Sequence, residues 1–160
     1  MNDLSSKSVS DIHGQSLAAL YEADETAWLE ESSQLIRAGR LDELDYENLA
    51  TYLEDQAKRD RREVNSRLRV LMAHLLKWQY QPEKRSRGWA LTVIRQRRQL
   101  KRLLASATLQ QHAAEVLAEI YPAAVKMAAY QTGLPRSAFP AACPLRLKQI
   151  MTQKLAGRVP

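Results

Sequence analysis

The sequence predicts an all-α fold: a bundle of four to five helices built on one long central helix, with no sheet. Three observations carry this reading. The stretch 46–81 contains neither Gly nor Pro, and its apolar residues Leu49, Leu53, Val64, Leu68, Leu71, Leu75 and Trp78 recur at helical spacing. Glycines and prolines are few, five and six, and are concentrated outside the periodic segments, which leaves few turns for a β architecture. Only three residues are Trp and one is Phe, so the core is expected to be mainly Leu and Ala.

Taken in order, residues 1–15 read as a disordered leader, and residues 16–157 as one helical bundle domain. A first helix is expected over 16–38, with Leu17, Leu20, Tyr21, Trp28, Leu35 and Ile36 inward and Gly39 as its stop. Asp24 and Glu31 fall near that face and call for partners, for which Arg67, His74 and Lys77 are candidates. The connection GRLDELD is short, so the first two helices should be antiparallel neighbours.

Asp45 is a suitable N-cap for the long helix, with Asn48 at the capping-box position, and Pro82 ends it. At about 1.5 Å per residue such a helix is roughly 50 Å long. A third helix follows Ser86 as N-cap and runs to about 106, with Trp89, Val93, Leu100, Leu103 and Leu104 inward. Arg95, Arg98 and Arg102 form its outward basic stripe, with Arg97 and Lys101 beside it. A fourth helix over about 109–132 carries Val116, Leu117, Ile120, Ala124 and Met127 inward, kinked at Pro122 rather than split there. The segment 134–143 reads as surface coil. Pro144 suits the first turn of a last helix bearing Leu147, Ile150, Met151 and Leu155 to Gly157.

Charge is strongly segregated. Residues 1–57 hold three basic and thirteen acidic residues, a net of −10; residues 58–102 hold fifteen basic and three acidic, a net of +12; residues 103–160 add +4. Such a basic middle suits nucleic acid or another polyanion, or else an intramolecular pairing with the acidic first helix. The single cysteine, Cys143, allows no internal disulfide, which fits a reducing, cytoplasmic compartment. No run of about 18 apolar residues suggests a membrane span, and residues 1–15 lack the pattern of a secretory signal.

Along the long helix, Asp60, Arg67, His74 and Gln81 stand seven apart, with Glu63 and Lys77 beside them. Seven residues are almost two turns, so these side chains share one edge. The edge reads either as a core boundary whose hydrogen bonds and ion pairs fix helix register, or as a site centred on His74.

The chain resembles a bacterial family known as domain of unknown function 29. The resemblance rests on AWLEE (27–31), IRAGRLDELDYENLA (36–50), SRLRVLMAHLLKWQYQPEKRSRGW (66–89), the QRRQLKRLL run and TGLPRSAFPAACP (132–144). Gly88, Pro122, Leu145 and Lys148 depart from the family's usual pattern. The resemblance implies a small, largely helical bacterial protein with no established activity. It also implies that any family site maps here to Asn48, His74, Lys77, Trp78, Arg87 and Trp89, although Trp78 and Trp89 read equally well as core aromatics.

Tests for specific chemistry are mostly negative. No Glu or Asp lies three residues before His13, His74 or His112, as a carboxylate-bridged di-metal bundle requires. Neither a P-loop nor a Gly-rich dinucleotide fingerprint is present, and Cys143 has no nucleophile motif, so no metal or cofactor is expected. Helical-bundle RNases of the HEPN type resemble one another in an Arg-x(4–6)-His motif, and Arg67 and Arg69 precede His74 at such spacings. The polar residue after the Arg is missing, since Leu68 and Val70 stand there, and Arg69 falls on another face. The catalytic candidates on that reading are His74, Arg67 and Lys77.

The leading expectation is a non-enzymatic binding module whose partner is a protein, a second copy or a polyanion. Its binding candidates are Asn48, Trp78, Arg87, Trp89, Arg95, Arg98 and Arg102, with Arg85 among the phosphate-contacting arginines.

Overall fold

The computed structural model describes residues 16–159, and the expected leader at 1–15 lies outside the described residues. Among these residues every regular element is helical: α1 (Leu17–Ala23), α2 (Glu25–Arg37), α3 (Tyr46–Tyr80), α4 (Arg87–Leu103), α5 (Ala107–Thr132) and α6 (Leu147–Thr152). Short 3₁₀ turns stand at Leu41–Glu43, Pro82–Lys84 and Arg136–Ala138. The chain divides into two compact units, Met1–Gln56 and Ala57–Pro160, and α3 runs through the boundary.

In the first unit the expected helix over 16–38 is two helices. Asp24 breaks it: its φ is −155°, and its carboxylate accepts a 3.0 Å hydrogen bond from the Ala27 amide. A short acceptor side chain competes with the helical backbone here and serves better as N-cap of α2 than as an interior residue. Asp24 therefore points at α2's own amides. Trp28 is fully buried, edge-on to Tyr21 at 4.8 Å and tilted against Tyr52 of α3 at 5.7 Å. Two expected inward residues turn out to be exposed, Ile36 at 49% and Leu53 at 61%. α2 ends in a Schellman motif: Gly39 takes φ 71°, with Arg40 N–H bonded to Leu35 O and Gly39 N–H to Ile36 O.

α3 opens as its sequence requires. Asp45 accepts from the Asn48 backbone amide at 3.3 Å and from the Asn48 side-chain amide at 2.6 Å, an N-cap in which Asn48 donates to the carboxylate instead of closing a capping box. In the second unit, Val64, Leu68, Leu71 and Leu76 of α3 pack with Val93 and Leu100 of α4 and with Ala113, Ile120, Ala124 and Ala128 of α5. Phe139 and Ile150 complete the core.

Ser86 caps α4 through the Trp89 amide and Ser106 caps α5 through the Leu109 amide. α5 is continuous through Pro122. Proline leaves the Ala118 carbonyl without its donor, and both residues lie on the side of the helix that is open to solvent. The last helix is shorter than expected. Arg146, not Pro144, precedes it, and it stops at Thr152, so Leu155 lies beyond it in a C-terminal strap. Among the described residues no helix is long and apolar enough to cross a membrane.

Candidate functional site

The residues singled out in the sequence fall into two groups: side chains tied into the second unit's interior edge, and side chains that face solvent. Asn48 belongs to neither, since its side chain completes the cap of α3.

The polar edge of α3 fixes register. Arg67 donates to Glu63 Oε1 at 2.8 Å and to Gln96 Oε1 of α4 at 3.3 Å. Lys77 is buried; its Nζ donates to Gln131 Oε1 of α5 at 2.8 Å and sits 4.4 Å from the Trp89 ring centroid. Gln81 donates to the Thr132 carbonyl at 3.2 Å. The bonds to Gln96, Gln131 and Thr132 each reach a different place on α4 or α5, so sliding α3 by one turn would break several together. Arg67 and Lys77 thus have their partners inside the second unit.

His74 is half-buried. Its Nδ1 lies 2.9 Å from the Val70 carbonyl, which can only accept, so Nδ1 carries the hydrogen and a neutral ring keeps its lone pair on Nε2. Burial lowers its pKa; the Val70 bond opposes this and the Lys77 charge adds to it. The ring is therefore neutral at pH 7. The arrangement gives little support to an RNase-type site, because the Arg67 guanidinium is already engaged by Glu63 and Gln96. Arg69 lies instead in a separate groove with Arg62, Asn65 and Ser66.

Trp78 and Arg85 belong to the strap. The Trp78 indole donates to the Ala156 carbonyl at 2.7 Å, and Arg85 donates to the Trp78 carbonyl at 2.8 Å while its guanidinium lies 5.2 Å from the indole centroid. A cleft of about 230 Å³ opens beside them, lined by Leu75, Gln79, Lys154 and Leu155 among others. Trp78 and Trp89 thus act as packing aromatics, each carrying a cation on its face.

Arg87, Arg95, Arg98 and Arg102 are the other group. All four are exposed on α4, as is Lys101, and none has an ion-pair partner among the described residues. The sequence reading missed two features of this helix. Arg97, placed beside the basic stripe, turns inward: it donates to the Ile150 carbonyl at 2.9 Å, and burial lowers its pKa. Its spacing with Val93 and Leu100, at i, i+4 and i+7, is the signal that assigns it to the inner face. The second feature is a pair of exposed apolar residues amid the arginines, Leu91 at 57% and Ile94 at 60%. Arg87, Leu91, Ile94, Arg98 and Arg102 are separated by four, three, four and four residues, so they form one outward stripe.

No curated protein matches this chain, and no solved structure does. A family model, domain of unknown function DUF29, matches residues 20–156. With almost the whole helical architecture inside that match, the chain belongs to the DUF29 family, whose function is unknown.

Proposed function

We propose that this protein is a non-enzymatic binding module and that its contact surface is the outer face of α4, which meets an anionic macromolecular partner. One observation carries the reading: Arg87, Arg95, Arg98, Lys101 and Arg102 are all exposed on that face, with no acidic residue among α4's seventeen. Like charges three and four apart destabilise a helix by about 0.2–0.5 kcal/mol per pair. That cost brings no packing in return, since these side chains are exposed, so the face is better suited to binding than to folding. The polar residues on the inner edge, in contrast, have partners and are accounted for by packing.

The test is fluorescence anisotropy of labelled poly-glutamate, single-stranded DNA and RNA, titrated with the protein at low and physiological salt, with the RNA run on a gel afterwards. Binding to at least one probe that weakens steeply with salt, and that falls at least tenfold in R95E/R98E, is the expected result. Absence of binding at low salt, or equal binding by the variant, overturns the proposal. RNA cleavage abolished by His74→Ala would replace it with the enzyme reading.

A further inference from the structure

The two compact units carry opposite charge. Residues 1–56 hold three basic and thirteen acidic residues, net −10, and residues 57–160 hold twenty-one basic and five acidic, net +16. The boundary between the compact units is also the boundary between the charges. Each unit exposes apolar side chains inside its own field. On α4 these are Leu91 and Ile94, set between Arg87 and Arg98. On the first turns of α3 they are Tyr46 at 58% and Leu53 at 61%, with exposed Ala50 between them and Glu47 alongside.

The two stripes match in kind and in spacing. Tyr46, Ala50 and Leu53 are four and three apart; Arg87, Leu91, Ile94 and Arg98 are four, three and four apart. Both are therefore straight helical seams, the first about two turns and the second about three turns long, apolar along the middle and flanked by charge, acidic on one and basic on the other. Helices with such seams pack side by side, with flanking charges choosing the partner and its direction. A nucleic-acid backbone would use the arginines and leave Leu91 and Ile94 without a counterpart. An acidic amphipathic helix uses both.

We infer that the anionic partner of the α4 face is a second copy of this chain, whose Tyr46–Ala50–Leu53 stripe seats on Leu91 and Ile94. This rests on the reading of α4 as the binding surface and names its occupant. The contact is heterologous: the face used on one copy differs from the face used on the next, so a dimer keeps one free stripe of each kind, one at each end. Association therefore extends head to tail, closing into a ring only if the geometry returns on itself. Two seams of this length bury less than a standard interface, so the contact is weak, reversible and salt-sensitive.

Sedimentation equilibrium of the full chain, from about 10 to 500 µM at low salt and again at about 0.5 M salt, provides the test. At low salt the average mass is expected to climb with concentration past the dimer, and at high salt to return to the monomer. L91S/I94S and Y46S/L53S should each weaken association at least tenfold. All four side chains are more than half exposed, so both variants should fold, which far-UV circular dichroism checks. Mixed in equal amounts, the two variants retain one intact pair of faces and are expected to form a dimer that grows no further.

A wild-type chain that stays monomeric at low salt overturns the inference, and so does a mixture that fails to dimerise. If R95E/R98E nevertheless loses binding to an anionic probe in the anisotropy assay, the α4 reading stands and only the second-copy assignment falls. If R95E/R98E binds every probe like wild type, both fall.

Discussion

Reversing one charge on α4 separates a binding face from a structural one. Arg98 has three like-charged neighbours within one turn: Arg95 at i−3, Lys101 at i+3 and Arg102 at i+4. Each such pair costs a helix about 0.2–0.5 kcal/mol, and Arg98→Glu converts all three into attractions of similar size. Against this, a carboxylate in the C-terminal half of a helix meets the negative end of the dipole, a term of about 0.3–1 kcal/mol that decays within the last turn. Arg98 stands five residues before Leu103, so only part of that penalty applies. The net expectation is a stabilisation of about 1–2.5 kcal/mol, seen as a rise of roughly 2–10 °C in the melting temperature by circular dichroism at low salt. The gain should shrink in high salt. The same substitution should weaken capture of an anionic probe severalfold. Opposite signs for folding and binding are what a functional face requires. A loss of stability above about 1 kcal/mol would refute the reasoning, because it would mean that Arg98 holds the fold together.

Other substitutions test the inner edge and the strap. Lys77→Met keeps the buried stem and removes the charge. The lost bond to Gln131 and the contact with Trp89 are offset by the removed desolvation penalty, so stability by urea denaturation should change by less than about 1 kcal/mol. Burial lowers the Lys77 pKa below its usual 10.5. The unfolded chain therefore holds that proton to higher pH than the folded one, and stability gains as pH rises from the folded value towards 10.5. The variant should lose that contribution, which the difference between wild-type and mutant pH profiles isolates. Leu68→Ala, at a site with no solvent exposure, should cost about 2–5 kcal/mol in the same assay. Gly157 takes φ +87°, and a Cβ there would collide with the Arg85 guanidinium. Gly157→Ala should release the strap at a cost of roughly 1–2 kcal/mol, detected as faster proteolysis after residue 152.

The fold was legible in the sequence because its signals are local. Helical spacing, Asp45, Ser86, Gly39 and Gly133 mark elements by side chains a few residues apart, and caps form within one turn. Where the reading missed, a local competitor had won. Asp24 lies on a continuous helical pattern, yet its carboxylate bonds better as a cap, and α1 and α2 part there. Leu53 continues the apolar stripe of α3, but nothing covers that position and it is exposed.

The candidate site was legible only in part. The stripe of Arg67, Lys77 and Gln81 was visible as a polar edge, but its partners Gln96, Gln131 and Thr132 lie far along the chain, and spacing alone does not reveal them. The arginines of α4 were visible as a basic stripe. Arg97 facing inward and Leu91 facing outward follow from a register that only the packing of Val93 and Leu100 fixes.

The measurement that bears most directly on the α4 face as the working surface is an amide NMR titration of the protein with poly-glutamate at low salt. Shifts are expected to concentrate on residues 87–102 and to vanish in R95E/R98E, while the amides around His74 and Lys77 stay in place. Shifts centred on His74, Lys77 and Trp89, with α4's outer face unmoved, would contradict the account and return the search to the inner edge of α3.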